Sequence, residues 1–329
     1  MTEALTGFDI GTSRVVVARN TAPDYQYETQ LNAFVTIPFT KLAQNMLQKE
    51  NVAHAVQGSE LFVIGDDSER FAELFQVEAR RPMTRGVLNP EESRNLLVIR
   101  QFVERMLGRA KVEGQKLYFS VPAPALEGDE SITYHEATIQ QILGEYGYDA
   151  HGIHEGLAVV YGELESSNYT GIGISCGGGM CNVCLSYLSV PVVSFSTPKG
   201  GDFIDASAAA ATRELANHIR IQKEKHFRLN GFSENGIHQA LNVYYDELIN
   251  NLVRALKQAF SAARSLPKLD RPIPLVLAGG TAMPGGFHQR FEKALRTADF
   301  PIALSEIRMA ANPLLSTAKG ALVAALSEI

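Results

Sequence analysis

The feature that most constrains how this chain can fold is an internal repeat: Gly7-Phe8-Asp9-Ile10-Gly11-Thr12-Ser13 can be laid over Gly173-Ile174-Ser175-Cys176-Gly177-Gly178-Gly179. Each copy contains apolar residues, turns on glycine and runs into a second β-rich stretch, Val15-Val16-Val17 in one and Val183-Cys184-Leu185 in the other. Both copies therefore read as strand, glycine turn, strand. They stand near the start of each half of a 329-residue chain, a length that supports two cores rather than one. The economical fold is two related α/β domains, each opening with a β-hairpin.

Between the hairpins lie two helix-strand units. Residues 90–107 carry Leu96, Leu97, Ile99, Val103 and Leu107 at helical spacing, and a buried strand over 117–121 follows, ended by Pro122. Residues 136–146 repeat the helix, with Ile139, Ile142 and Leu143 on one face. Residues 25–85 are less regular, as an insertion forming a small lobe would be. The second half continues with an Ala-rich helix over 202–218, then Lys223-Glu224-Lys225, then a helix over 241–265. A strand over 273–278 runs straight into Gly279-Gly280-Thr281-Ala282-Met283-Pro284-Gly285-Gly286, a third glycine-rich turn at a strand end, and a last helix spans 314–326.

Composition removes several function classes. The formal charge is -6 and no Lys/Arg run is long, whereas a nucleic-acid or anionic-membrane surface needs clustered cations. No stretch approaches the roughly 18 to 20 apolar residues of a membrane span, and residues 1–6 offer neither the charged start nor the apolar core of a signal peptide. The expectation is a cytoplasmic chain with no membrane segment of its own. Cys176, Cys181 and Cys184 are spaced C-x4-C-x2-C, which is similar to part of an iron-sulfur ligand pattern. A fourth cysteine is missing, and strand alternation would turn Cys181 and Cys184 to opposite faces. They are read as small buried side chains.

Glycine is needed where backbone must approach a phosphate, and successive exposed N–H groups in such a turn form an anion-binding concavity. Thr12 and Ser13 add hydroxyl donors. Asp9, at the strand end beside the first turn, would place a carboxylate where a phosphate-bound Mg²⁺ and its waters would sit. A lone glycine turn is usually only a hairpin. Three of them at strand ends, in two repeated halves, point to one polyphosphate pocket.

The whole arrangement resembles the actin, sugar-kinase and heat-shock-chaperone ATPase superfamily, and is most similar there to bacterial actins of the MreB and MamK type, over nearly the full chain. Residues 7–13, with Gly11, Thr12 and Ser13, match the first phosphate loop of that family, and Gly177-Gly178-Gly179 match the second. Arg81-Pro82-Met83-Thr84-Arg85-Gly86-Val87-Leu88 resembles its Arg-Pro, Gly-Val segment, and Val121-Pro122 its strand-ending Val-Pro. His154-Glu155-Gly156-Leu157-Ala158 looks like the first inter-domain helix, which in bacterial actins opens with a Glu that positions the water attacking the γ-phosphate. Gly200-Gly201-Asp202-Phe203-Ile204-Asp205 resembles the following Gly-Gly-Asp segment. Lys223-Glu224-Lys225 is similar to the Lys-Glu pair that holds adenosine, and residues 278–286, with Gly279, Gly280, Thr281 and Met283, to the adenosine loop. Pro313-Leu314 with Ala318-Lys319-Gly320-Ala321 looks like the second inter-domain helix.

The resemblance implies two related domains of ribonuclease-H-like (actin-like) fold flanking a nucleotide cleft. Domain I would take residues 1–149 and 310–329, with the small lobe at about 25–85, and domain II residues 150–309. It implies ATP or ADP with Mg²⁺, the metal held through water by Asp9, and Glu155 and Asp9 as the catalytic pair. Phosphoryl transfer to water needs mainly a phosphate clamp, a metal and one group that orients the nucleophile. Without the resemblance, Glu155 has a second reading as a carboxylate favoured at a helix N-terminus, and His154 reads as a polar cap or core histidine. The implied function is a homopolymer: an actin-like protein forming cytoskeletal filaments, with closure of the domains over a purine nucleotide as its switch.

Two departures qualify this. The family's second phosphate loop begins with Asp and closes with Thr, and this chain has Ser175 and Met180 there. Serine can hydrogen-bond a metal-bound water but brings no charge, and a thioether cannot donate to a phosphate. The expectation is nucleotide binding with slow or no hydrolysis. The connection between Lys225 and residue 241 is short, so the small lobe of domain II should be reduced or missing, which bears on filament contacts. Alternatives are an adaptor of the cell-division or pilus-platform type using ATP as a structural switch, with possible protein partners, and a small-molecule kinase. Kinase chemistry wants a carboxylate base for a substrate hydroxyl, and no Asp stands in the sugar-kinase context. A chaperone is disfavoured because no substrate-binding segment follows the last helix.

Overall fold

The computed structural model describes residues 5–21, 24–127, 132–231, 235–263 and 266–328. The first hairpin is β1 (Thr6–Ile10) and β2 (Arg14–Thr21), and β3 (Asp24–Leu31) adds antiparallel to β2 along its whole length. The small lobe follows as β4 (Phe34–Pro38), α1 (Lys41–Lys49), β5 (His54–Gln57), β6 (Glu60–Ile64) and α2 (Asp67–Phe75), its sheet ordered β4-β6-β5. Thr40 starts α1 by accepting from the Ala43 amide at 3.0 Å, an N-cap. Residues 25–31, grouped with the lobe on sequence, belong to the main sheet, because Tyr25 to Leu31 are paired with β2.

A two-stranded ribbon, β7 (Met83–Thr84) and β8 (Val87–Leu88), leads back to the main body. There α3 (Asn95–Phe102), β9 (Gln115–Val121), α4 (Thr133–Glu145) and β10 (Tyr148–His154) complete the first unit. The helix expected over 90–107 begins at Asn95 and continues past Phe102 as a π-type turn to Leu107, where Gly108 at φ 70° stops it. The inter-domain helix α5 (Glu155–Glu163) then enters the second unit.

That unit opens with the second hairpin, β11 (Gly171–Cys176) and β12 (Cys181–Tyr187), joined by β13 (Val190–Thr197). The single Ala-rich helix expected over 202–218 is two helices, α6 (Gly201–Thr212) and α7 (Ala216–Lys225). Thr212 returns its hydroxyl to the Ala208 carbonyl, Arg213 turns left-handed at φ 60°, and the Glu214 amide reaches Ala209 O. This is a helix-ending closure that glycine usually makes. Lys223-Glu224-Lys225 thereby becomes the last turn of α7. After α8 (Gly236–Ala262) come β14 (Ile273–Ala278), α9 (Phe287–Thr297), β15 (Leu304–Met309) and the second inter-domain helix, α10 (Ser316–Leu326). The reduced second lobe concerns residues 226–235. Of these, 232–234 lie outside the described residues, and 226–231 hold no helix or strand.

The two main sheets have one topology. Their orders are β3-β2-β1-β9-β10 and β13-β12-β11-β14-β15, in each case three antiparallel strands followed by two parallel ones. The central strands β1, β2, β9, β11, β12 and β14 are buried over most of their length and are apolar on both sides, whereas the outer strands β3 and β15 carry polar residues. In β2, Val15 and Val17 join a core with Phe8, Phe119 and Ile139, while Val16 and Ala18 pack on Ala318 and Leu322 of α10. In the second unit Ile172 and Ile174 meet Leu248 and Phe291, and Val276 and Ala278 meet Val159 and Val160 of α5.

The repeat's first glycine has a job that the phosphate-loop reading did not give it. A Cβ on Gly7 would collide with Ala318 O and Leu322 N of α10, and one on Gly173 would collide with Gly156 O of α5 and sit 2.9 Å from Val160 N. Each sheet thus lets one inter-domain helix lie directly on its backbone. Beyond β9, residues 122–126 cross to the other sheet: Ala125 bridges Ser196 of β13, Leu126 N bonds Ser196 O at 3.0 Å, and Ser196 N bonds Pro124 O at 2.8 Å.

Candidate functional site

The three glycine turns meet at one cavity of about 710 Å³ between the two units. Its first wall is the β1-β2 turn, with Gly11, Thr12 and Ser13, and its second the β11-β12 turn, with Gly177, Gly178 and Gly179. Gly201 and Asp202 at the start of α6, Lys223 and Glu224 of α7, and Gly279, Gly280, Thr281 and Met283 after β14 complete the ring. Asp9 and Glu155 also line it. Every residue singled out for the site on sequence is therefore brought to this cavity.

The second turn meets the first with no side chains of its own, its glycines lying against Ser13 and Thr12. A Cβ on Gly178 would collide with Ser13 Oγ, and one on Gly179 would lie 2.7 Å from Gly86 N. Thr12 Oγ1 accepts from Gly86 N at 2.9 Å, holding the β7-β8 ribbon against the first turn. The first amides of α6 take the carbonyls of the second turn, Gly201 N to Gly177 O at 3.0 Å and Asp202 N to Gly178 O at 2.8 Å. Thr281 donates to Gly177 O at 2.8 Å, tying the third turn to the second.

Asp9 and Glu155 are half-buried carboxyls on the cavity floor. Asp9 accepts from Ser120 Oγ at 2.6 Å, and the same oxygen accepts from Ile10 N at 3.0 Å. Glu155, first residue of α5, accepts from Ser175 Oγ at 2.8 Å. Burial pushes the Asp9 carboxyl up, against the Ser120 bond. Burial, and then the neighbouring Asp9 charge, push Glu155 up as well, against its hydrogen bonds. Two acids that resist ionisation side by side form a site that a cation would relieve. His154 sits at the N-cap of α5, but its side chain caps nothing, and burial pushes its imidazole pKa down.

The residues that depart from the family pattern are both engaged. Ser175 spends its hydroxyl proton on Glu155. Met180 lines the cavity and lies against Gly86, whose Cβ would stand 3.0 Å from Met180 Sδ.

Sequence reasoning assigned Lys223 to the site but gave no role of their own to Asp205, Arg81 and Arg220, which also build it. Lys223 Nζ reaches Asp205 Oδ2 at 2.7 Å and Gly201 O at 3.3 Å. Asp205 is buried, which pushes its carboxyl up against the pull of Lys223, and its Oδ1 has no partner among the described residues. Arg81 donates to Asp202 Oδ1 at 2.5 Å and to Ser13 Oγ at 3.2 Å, joining the two units at the turns. Arg220 of α7 lines the cavity too, and pairs with Glu69 of the small lobe. Its i,i+4 spacing from Glu224 was the one signal the sequence offered.

Cys176, Cys181 and Cys184 are buried and free. Among the described residues no group of three or more His, Cys, Asp or Glu is placed to hold a metal, and no helix is long and apolar enough to cross a membrane.

The family model described as Volactin matches residues 4–325. No curated protein matches the chain. Among solved structures it is similar to a MamK double helical filament, at 17% identity, 99% coverage of both chains and a TM-score of 0.73. It is similar to MreB5 of Spiroplasma citri bound to ADP, at 13% identity, covering 97% of this chain and 95% of that one, with a TM-score of 0.63. It is similar also to the ethanolamine utilization protein EutJ of Carboxydothermus hydrogenoformans, at 15% identity, 97% and 88% coverage and a TM-score of 0.57. At these identities the likeness is one of fold, and the fold is the actin-like pair of domains.

Proposed function

This chain belongs to the Volactin family, and we propose that it is an ATP-binding actin-like protein that closes its domains over a magnesium-nucleotide and polymerises into cytoplasmic filaments. The observation that carries this reading is the convergence of three glycine turns on one cavity floored by Asp9 and Glu155. In support of it, the MamK relative is solved as a double helical filament and the MreB5 relative with ADP.

The residues present fit such a ligand. Gly178 and Gly179 leave no room for side chains between the turns, which suits backbone amides that cradle phosphates. Two carboxyls suit Mg²⁺, which keeps several waters and is commonly held by one or two carboxylates plus phosphate oxygens. When bound, the ion neutralises phosphate charge. Asp9 would hold it through water, kept in place by Ser120. The hydroxyls of Thr12 and Ser13, which line the cavity, would stand beside the phosphates. Lys223, Glu224 and the third turn, with Met283, form the nucleoside end.

Glu155 is the group that would orient an attacking water, its other oxygen fixed by Ser175. Hydrolysis should be slow. The serine's one proton goes to Glu155, and the Met180 thioether offers no donor. Phosphate release from the wild type and Glu155→Ala tests this, and fast wild-type turnover abolished by the substitution would refute slow hydrolysis. Calorimetry with magnesium-ATP tests binding. Sedimentation and electron microscopy with ATP, ADP and no nucleotide test assembly, and binding without pelleting would favour the adaptor reading.

A further inference from the structure

The small lobe and the second unit are joined at the cleft by side chains. Glu69 of α2 pairs with Arg220 of α7. Arg220 is 8% exposed and lines the cavity. Its guanidinium also reaches Glu224 Oε1 at 3.3 Å and Asn217 Oδ1 at 2.9 Å. Glu224 lines the same cavity. A continuous chain of charge thus runs from the lobe, through a buried arginine, to the cavity wall.

We infer that Glu69 is a positioning residue for the nucleoside part of the ligand, acting through Arg220 on Glu224. A buried guanidinium must keep carboxylate partners. With Glu69 in place, Arg220 shares its edges between two acids, and Glu224 stays available to the cavity. Without Glu69 the uncompensated edge turns to Glu224 and draws it off the wall. The coupling is reciprocal: a nucleoside held by Glu224 fixes Arg220, and so holds the small lobe through Glu69. The phosphates would lie at the other end, at the turns containing Gly11 and Gly178, whereas the partner of Glu69 among the described residues is Arg220. The assignment rests on the nucleotide reading of the cavity.

The test uses the full chain with magnesium-ATP, measuring affinity by calorimetry and amide exchange by mass spectrometry. Glu69→Ala should weaken ATP binding about fivefold or more, the lower end of ordinary coupling between sites. Glu69→Gln, which keeps an acceptor oxygen, should lie between it and the wild type. At saturating ATP the wild type should show slower exchange in α2 and in residues 177–179 than without ATP. Glu69→Ala should lose the ATP-dependent slowing in α2 alone. Unchanged affinity, persistent ATP-dependent protection of α2, or loss of protection at 177–179 as well would overturn the assignment. A wild type that binds no ATP would overturn the nucleotide reading and this inference with it, whereas a wild type that binds beside an unaltered Glu69→Ala overturns the inference alone.

Discussion

Ser175 donates its hydroxyl to Glu155 at 2.8 Å, and it stands in the second repeat where Asp9 stands in the first. The acid of the first repeat copy and the acid that opens the inter-domain helix α5 therefore share a floor, each accepting a hydrogen bond from a serine.

The free protein should lose stability as pH rises. Glu155 is pushed up from an ordinary 4.5 to about 8, by burial first and then by Asp9. Its folded form holds the proton more tightly than the unfolded chain does, so its contribution is complete below the unfolded value and is lost as pH climbs through about 8. The urea midpoint of the nucleotide-free protein should fall between about pH 5 and about pH 9, and Glu155→Gln should flatten the slope. Parallel slopes for the two proteins would count against a protonated Glu155.

Loading the cleft should release protons. Carboxylates must be ionised to serve a cation, and burial pushes Asp9 to about 6 and Glu155 higher still. Calorimetry of magnesium-ATP near pH 7, in two buffers of different ionisation enthalpy, should report release on the order of one proton. Glu155→Gln should reduce it. Binding heats that do not depend on buffer would contradict the expectation.

A methyl group between the turns should be felt as lost affinity. Gly178→Ala would press on Ser13 Oγ and Gly179→Ala on Gly86 N, prising apart the surfaces that face the phosphates. Each should weaken ATP binding tenfold or more, about 1.4 kcal/mol, in a nucleotide-displacement titration. Wild-type affinity in either variant would show that the turns do not meet around the ligand.

Two helical glycines should answer alanine with opposite signs. A Cβ on Gly320 would collide with the Ala158 carbonyl, where α10 crosses α5, and Gly320→Ala should cost about 1–3 kcal/mol in urea unfolding. Gly144 in α4 has open space around it, and Gly144→Ala should stabilise by about 0.5–1 kcal/mol. Equal effects would mean that the helix crossing is not tight.

What could be read from the chain beforehand was what short spacing carries. The two hairpins, β14 and the glycine turns follow from apolar stretches ended by glycine, and Asp9 and Glu155 stand at strand and helix ends that local pattern marks. What escaped were long-range matters. Arg213 ends α6 in a conformation that glycine normally supplies, so no breaker announces the split. Tyr25 to Leu31 read as lobe because only pairing with β2 makes them sheet. Glu69 and Arg220 are 151 residues apart, and nothing local in either helix announces their partner. The work of Gly7 and Gly173 is hidden for a related reason: the repeat aligns them, and only the approach of a helix from elsewhere shows what they do.

The crossing of residues 122–126 onto β13 has its own consequence. An open strand edge offers unpaired amides and carbonyls to any extended chain that meets it. Here Pro124, Ala125 and Leu126 cover the border of β13 around Ser196, so that stretch offers no template for strand addition to an extended chain from outside.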